Sequence, residues 1–250
     1  MINAYYTVSN SMMTQQKVVD AIAGNIANVN TSGYKKVEAS FKDMLYSTLK
    51  GNSDEAYQLG NGISIRTFEK DLSSGVLVKT DSLLDFAIDG KGFFKVGSNS
   101  GEMFYSRGGN FTISVEPGGS FITDGNGLYL LDENNQKIKV EEESGTIGLD
   151  NSGLMSFENS DSTYQLQVVN FENPGGLNMY GSNLFTYSQE AGKEINNSDV
   201  KIMQSFTENS NVNLATEMTQ LIKVQRLYEM NSKLVQVIDE IQGLANRLRR

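Results

Sequence analysis

The chain has 250 residues with no Cys, no His, no Trp and two Pro, and 21 Lys and Arg stand against 30 Asp and Glu for a formal net charge of −9. That length supports one large domain or two smaller ones with a buried core. The missing Cys and His exclude a disulfide framework, a thiolate nucleophile, zinc sites that use Cys and any imidazole base, while the acidic balance opposes generic nucleic-acid binding.

Met1 to Asn10 hold no basic residue and no continuous apolar run, so no cleavable secretion signal is expected. Nowhere do about 18 apolar residues run together, so no membrane insertion is expected, and by these rules alone the chain reads as cytoplasmic. The first element is a helix within residues 1–34. Tyr5, Val8, Met12, Gln15, Val19, Ile22, Ile26 and Val29 step by 3 and 4, and only Gln15 breaks the apolar stripe. Such spacing is the seam of a coiled coil. The helix should stop near Asn28–Gly33, where Asn, Thr, Ser and Gly favour caps and turns.

Residues 35–80 read as a connector: a short amphipathic helix around Phe41–Leu49, an Asn/Gly loop at 51–62 and a strand near Ile63–Phe68. A β domain follows over 81–185. Phe86-Ala87-Ile88, Asp89-Gly90-Lys91-Gly92 and Phe93-Phe94-Lys95-Val96 together give a hairpin signal. Phe111–Val115 leads through Pro117-Gly118-Gly119 to Phe121–Thr123, and Asp124–Gly127 then turns into Leu128–Leu131. Tyr164, Leu166 and Val168 alternate with Gln165, Gln167 and Val169 as one strand with a mostly polar face. Closely spaced strands of this kind imply an antiparallel sheet. A return connector at 186–205 leads into the last element.

That element, within residues 206–250, is a helix of roughly 212–248 capped by Asn211 or Asn213. Leu227, Asn231, Leu234, Ile238, Ile241, Ala245 and Leu248 form one stripe, and Leu214, Met218, Leu221 and Tyr228 lie offset beside it. The offset stripe implies more than one neighbour. Arg247, Arg249 and Arg250 suit the negative end of the helix dipole. The fold class is therefore α+β: a mainly antiparallel β domain flanked by long terminal helices that form a coiled-coil-like pair or layer.

Glycine and charge divide the chain in the same way. Residues 51–192 hold 21 of the 24 glycines. Residues 1–50 have five Lys/Arg against three Asp/Glu, residues 206–250 six against five, and residues 51–205 ten against 22. Two mildly basic arms bracket an acidic body of −12. The plain reading is that the arms pack on each other or on the body inside one molecule. Narrow seams at opposite chain ends suit assembly equally well. A helix carrying Gly24, at a cost of about 1 kcal/mol against Ala, is marginal until it is packed.

No catalytic, metal or cofactor site stands out. Glu141-Glu142-Glu143 beside Lys139 and Ser144-Gly145 reads as a solvated loop. Asp124-Gly125-Asn126-Gly127 and Asp132-Glu133-Asn134-Asn135 fail the calcium-loop pattern, since Leu128 and Tyr129 occupy the fifth and sixth places counted from Asp124. Gly60-Asn61-Gly62 and Gly90-Lys91-Gly92 lack the third Gly and helix of a dinucleotide site. Cofactors and metals are expected to be none.

Five segments carry a resemblance. Ala23-Gly24-Asn25-Ile26-Ala27-Asn28-Val29-Asn30-Thr31-Ser32-Gly33-Tyr34-Lys35 resembles the N-terminal signature of the flagellar rod and hook proteins. Ser210–Met218 followed by Gln225–Asn231 looks like their C-terminal signature. Leu84–Phe94, Tyr105–Phe111 and Asn173–Leu177 are similar to motifs of their β domain. The length and Phe41–Tyr46 look most like the distal rod subtype, with the proximal rod subtype next and hook proteins longer. Asn213 stands where the family usually has Asp, Leu227 where Ala is usual, and the 51–62 loop is shorter than in typical Gram-negative distal rod proteins.

The resemblance implies a non-enzymatic subunit of a tubular shaft that transmits torque to the hook and leaves an export channel. It implies export through the flagellar type III apparatus without a cleavable signal, which places the chain in the basal body outside the cytoplasmic membrane. Implied partners are further copies of the chain, other rod and hook proteins, the export apparatus and ring proteins around the rod. The subunit-packing seam would comprise Tyr5, Val8, Met12, Val19, Ile22, Ile26, Val29, Leu214, Met218, Leu221, Tyr228, Leu234, Ile238 and Ile241. Asn25, Asn28, Asn30 and Gly33 would form the orienting turn. Two alternatives remain open: a cell-wall hydrolase drawing on Asp124 or Glu141, and a free secreted binding protein with internally paired helices. Lysis of peptidoglycan and hydrogen exchange on dilute monomer separate them.

Overall fold

A computed structural model describes residues 2–50, 56–60, 62–140, 146–196 and 200–248. The Glu141-Glu142-Glu143 run with Ser144-Gly145, Arg249, Arg250 and part of the 51–62 loop lie outside the described residues. The chain divides into two compact units, one of residues 1–27, 37–71 and 212–250 and the other of residues 28–36 and 72–211.

The first unit contains α1 (Ile2–Ala27), β1 (Val37–Asp43), β2 (Ser47–Lys50), β3 (Ala56–Leu59), β4 (Ile63–Lys70) and α2 (Leu214–Leu248). α1 ends at Ala27, where the Asn/Thr/Ser/Gly turn begins. α2 starts one residue after Asn213, whose Oδ1 accepts the Thr216 N–H at 3.1 Å while its carbonyl accepts the Glu217 N–H at 3.0 Å. Asn213 is therefore the N-cap. The two helices pack side by side, and β1 and β4 lie along α1.

The helix expected around Phe41–Leu49 is absent. β1 instead pairs antiparallel with β4 from Val37↔Lys70 to Asp43↔Ile63, with a bulge between Ser40 and Phe41, and β2 pairs with β3 from Ser47↔Leu59 to Lys50↔Ala56. Helical spacing lost because the Ile63–Lys70 strand offers residues 41–43 a backbone ladder and the Ala56–Leu59 strand offers one to residues 47–49, and Phe41 and Tyr46 suit a pleated surface. Ala56–Leu59, expected as loop, is the return strand of that ribbon.

The second unit contains β5 (Leu77–Lys79), β6 (Phe86–Asp89), β7 (Phe93–Gly97), β8 (Met103–Ser106), β9 (Phe111–Glu116), β10 (Gly119–Asp124) and β11 (Tyr129–Leu130). It continues with β12 (Lys139–Val140), β13 (Ile147–Leu149), β14 (Leu154–Phe157), β15 (Ser160–Gln165), β16 (Val168–Phe171), β17 (Asn178–Tyr180), β18 (Leu184–Thr186), β19 (Glu194–Asn196), β20 (Lys201–Gln204) and β21 (Phe206–Glu208). The described strand pairs are antiparallel. The largest sheet runs β12-β10-β11-β7-β8-β18-β17, with β9 on β10, β16 on β7 and β19 on β16.

Its central strands are buried on both faces, which is why they read as unbroken apolar pairs. Phe94, Val96, Phe104, Val168 and Leu184 enter one core, and their neighbours Phe93, Tyr105, Val169 and Phe185 enter another on the opposite face. At the surface edge of the second core the exposed Glu194 accepts from Lys95 Nζ at 3.0 Å and from the Tyr105 hydroxyl at 3.2 Å. Burial, and then the Glu194 charge, hold the Tyr105 hydroxyl protonated well above the usual tyrosine range.

The strands differ from expectation at two places. β6 and β7 form no hairpin across Asp89–Gly92, because β6 pairs with β20 and β7 pairs with β8, β11 and β16. The carbonyls of Ile88, Gly90 and Gly92 accept from the Arg107 guanidinium, which fixes the turn between the two strands. The 164–169 alternation is likewise two strands. β15 pairs with β14 in a three-stranded sheet and β16 enters the large sheet, where Val169 is fully buried instead of facing water. The Pro117-Gly118-Gly119 hairpin and the Asp124–Gly127 turn form as expected.

Candidate functional site

Two features can serve a structural role: the terminal helix pair of the first unit, and a buried charge cluster of the second. In the helix pair, Asn25 Nδ2 donates to Glu217 Oε2 at 3.0 Å, and Asn231 Nδ2 donates to Ser11 Oγ at 3.3 Å and Gln15 Oε1 at 3.2 Å. As residue numbers rise along α1 they fall along α2, so the helices are antiparallel. Gln15, the residue that breaks the α1 stripe, forms a polar layer with Asn231.

Asn25 also closes the root of the pair. Its Oδ1 accepts the Val37 N–H at 2.9 Å and its Nδ2 donates to the Val37 carbonyl at 3.0 Å. One amide thereby fastens the end of α1 to the start of β1 and, through Glu217, to the first turn of α2. Asn25 and Glu217 are each 1% exposed. A buried amide bonded on both edges is costly to replace.

The expected seam residues divide into three groups. Ile22 is buried; Val8, Met12, Val19, Ile26, Leu221, Ile238 and, in the second unit, Val29 are half-buried; Tyr5, Leu214, Met218, Tyr228, Leu234 and Ile241 are exposed. Beyond them the structure reveals a regular outer stripe. Leu227, Met230, Leu234, Val237, Ile241, Leu244 and Leu248 step by 3,4,3,4,3,4 along α2 and are 46% to 89% exposed. An open groove of about 590 Å³ runs along the helix pair, lined by Tyr5, Met12, Met13, Tyr228 and Val235 among others. The sequence reading merged two α2 faces: Asn231, Ile238 and Ala245 are turned inward relative to Leu227, Leu234, Ile241 and Leu248.

The second unit holds Asn28, Asn30 and Gly33, three of the four residues expected in the turn. Asn28 accepts the Thr31 N–H at its carbonyl and the Thr31 hydroxyl at its Oδ1, both at 3.1 Å, while Asn30 is exposed. Gly33 has φ +68°, and a Cβ there would sit 2.2 Å from the Gly108 nitrogen, so only glycine fits. Its N–H donates to the Glu208 carbonyl at 2.8 Å.

Glu208 is the hub of the cluster and no sequence motif marked it. Its Oε1 accepts from Lys35 Nζ at 2.7 Å and from the Gly75 N–H at 2.7 Å, and its Oε2 accepts from Arg107 Nε at 2.6 Å. Lys35 and Glu208 are 1% exposed and Arg107 4%. Burial pushes the Glu208 carboxyl up, but Arg107, Lys35 and the Gly75 N–H outweigh it and hold the group below the usual glutamate range. The same cluster pins three chain passages. Lys35 Nζ donates to the Ser73 carbonyl, Asn211 Oδ1 accepts the Lys36 N–H, and Asn211 Nδ2 donates to the carbonyl and hydroxyl of Ser73. Sequence could reveal such a triad only if residues 35, 107 and 208 were known to be neighbours.

The carboxylates considered for chemistry have local roles. Asp124 Oδ1 accepts the N–H groups of Asn126 and Leu128, and Asp132 Oδ1 those of Asn134 and Gln136. Both are turn formers. Among the described residues no cluster of three or more His, Cys, Asp or Glu is arranged to hold a metal ion. No described helix is long and apolar enough to cross a membrane.

Three family models match along the chain. They are the flagella basal body rod protein over residues 6–35, the flagellar hook protein FlgE/F/G D1 domain over 87–157, and the flagellar basal body rod FlgEFG protein C-terminal over 203–248. The chain is 33% identical over 269 residues to the flagellar basal-body rod protein FlgG of Borreliella burgdorferi, covering 100% of both chains. It is 33% identical to the FlgG protein of Buchnera aphidicola subsp. Baizongia pistaciae, covering 96% of this chain and 97% of the relative. Against the FlgG protein of Caulobacter vibrioides the identity is 32%, over 99% and 100%. These matches run through both helices and the β domain alike. The chain belongs to the FlgG family of flagellar basal-body rod proteins and is a structural subunit of the flagellar rod, in a family that is structural and not enzymatic.

Proposed function

We propose that the chain polymerises through its terminal helices into the tubular shaft of the distal rod, which carries torque to the hook and leaves a channel for export. One observation carries this reading. Among the described residues of the first unit, only Ile22 and Val212 are buried apolar side chains, whereas the second unit has two filled cores. A helix pair with so little of its own core gains most of its stability from neighbours. The expected seam residues that are exposed, such as Leu234 and Ile241, then serve packing between subunits in a coiled-coil-like layer. The Asn28–Gly33 turn links the first helix to the β domain. Export proceeds through the flagellar type III apparatus. Other rod and hook proteins adjoin the shaft, and ring proteins surround it.

Leu234→Asp and Ile241→Asp test the proposal, because both side chains face water in the single chain. Each variant should be exported and folded, with unchanged thermal unfolding of the β domain, yet give no rods on electron microscopy of basal bodies and no motility. Normal rods from both would overturn assembly through the helices.

A further inference from the structure

We infer that the outer stripe of α2 docks into the α1–α2 groove of a second copy, head to tail, so that each subunit contributes a different flank to one repeating contact. This rests on the assembly reading above and specifies which surfaces meet. At 3.6 residues per turn, the stripe from Leu227 to Leu248 and the groove positions on α2, Tyr228 to Gln236, lie on roughly opposite flanks of the helix. A surface and its complement on opposite flanks of one molecule cannot close into a two-fold pair. They generate a ring or an open helical array.

The two flanks are matched chemically. The stripe is branched and aliphatic, with Met230 its one unbranched member. The groove carries Tyr5, Met12, Met13, Tyr228 and Val235, able to fit around inserted aliphatic groups, between the polar Ser9, Gln16, Ser232 and Gln236. Charges complement as well. Lys223 and Arg226 precede the stripe on its own flank, whereas Asp20, which accepts from Gln16 at 2.9 Å, borders the groove on α1. The antiparallel register that pairs Asn25 with Glu217 and Ser11 with Asn231 sets Asp20 level with about residue 222 of α2. Copies side by side in one orientation therefore bring Lys223 and Arg226 level with the neighbour's Asp20. The same register puts Met13 level with Met230, and Tyr5 level with Val237.

The absence of Cys makes the test clean. Two full-length versions, one Met13→Cys and the other Met230→Cys, are co-expressed in a strain lacking the wild-type chain. Isolated basal bodies are then treated with a short bismaleimide. A covalent dimer is expected only when both versions are present, since each chain carries one thiol. A dimer from Met230→Cys alone would mean that stripe meets stripe, and would overturn the head-to-tail contact. Intact rods with no dimer in any combination would also overturn it while leaving polymerisation standing. Where either thiol prevents rod formation, Tyr5→Cys with Val237→Cys replaces the pair. Independently, Asp20→Lys should cut the number of rods per cell several-fold, and adding Lys223→Asp in the same chain should restore it. Failure of that rescue would overturn the assigned register.

Discussion

The Glu208 triad sets two buried cations against one carboxylate. Glu208→Gln leaves Lys35 and Arg107 buried beside a neutral amide, and truncating one partner of such a set costs about 3–5 kcal/mol. Urea unfolding of the β domain should show that loss directly. The acid dependence follows from the depressed carboxyl. Glu208 contributes stability above the usual glutamate pKa of about 4.3, and the contribution fades as pH falls through its lower folded value. Wild-type stability should therefore drop on acidification below that point by more than the Glu208→Gln variant's does, as measured by urea midpoints at matched pH. Gly33→Ala forces a Cβ against the Gly108 backbone at positive φ, and should cost more than about 1 kcal/mol in the same assay.

At the scale of elements, the α1–α2 pair is specified by polarity as much as by apolar spacing. Asn231 with Ser11 and Gln15 forms a half-buried layer that is satisfied in one register, and a polar layer of this kind fixes partner and alignment at some cost in stability. Asn231→Leu should therefore raise helix content and thermal stability of the pair. It should also broaden the amide spectrum of residues 2–27 as alternative alignments become populated. Unchanged line widths would show that the layer does not set register. The α2 cap is independently testable. Asn213→Ala removes the acceptor of the Thr216 N–H, should cost about 1 kcal/mol, and should speed hydrogen exchange in the first turn.

Across the whole molecule, the two units differ in how complete they are alone. Unfolding of the dilute monomer in urea should show two transitions. Helical signal from residues 2–27 and 214–248 should be lost first, and the near-ultraviolet signal of the buried Phe and Tyr cores later. Hydrogen exchange should find the helix amides weakly protected in monomer and strongly protected in rods. Equal protection in both states would mean that the helices need no neighbours.

Local features were legible because their causes are local. Asn213 caps α2, Pro117-Gly118-Gly119 turns a hairpin, and 3,4 spacing marks both helices, each from residues a few positions apart. Features requiring distant partners were not. The 41–49 segment has helical spacing and becomes ribbon because residues 63–65 pair with 41–43 and residues 57–59 pair with 47–49. Phe86–Asp89 leaves its expected hairpin because β20, about 115 residues away in sequence, supplies its ladder, while Arg107 holds the turn carbonyls. The sequence alone determined two helical arms, an acidic body and the absence of thiol and imidazole chemistry, since composition and periodicity are carried by each segment itself. Only the tertiary structure decided that Glu208 joins Lys35 to Arg107, and that α2 keeps one apolar face for α1 and leaves another in water. A carboxylate's partners and a helix face's neighbour are set by which segments meet in space, and no single stretch of chain encodes that by itself.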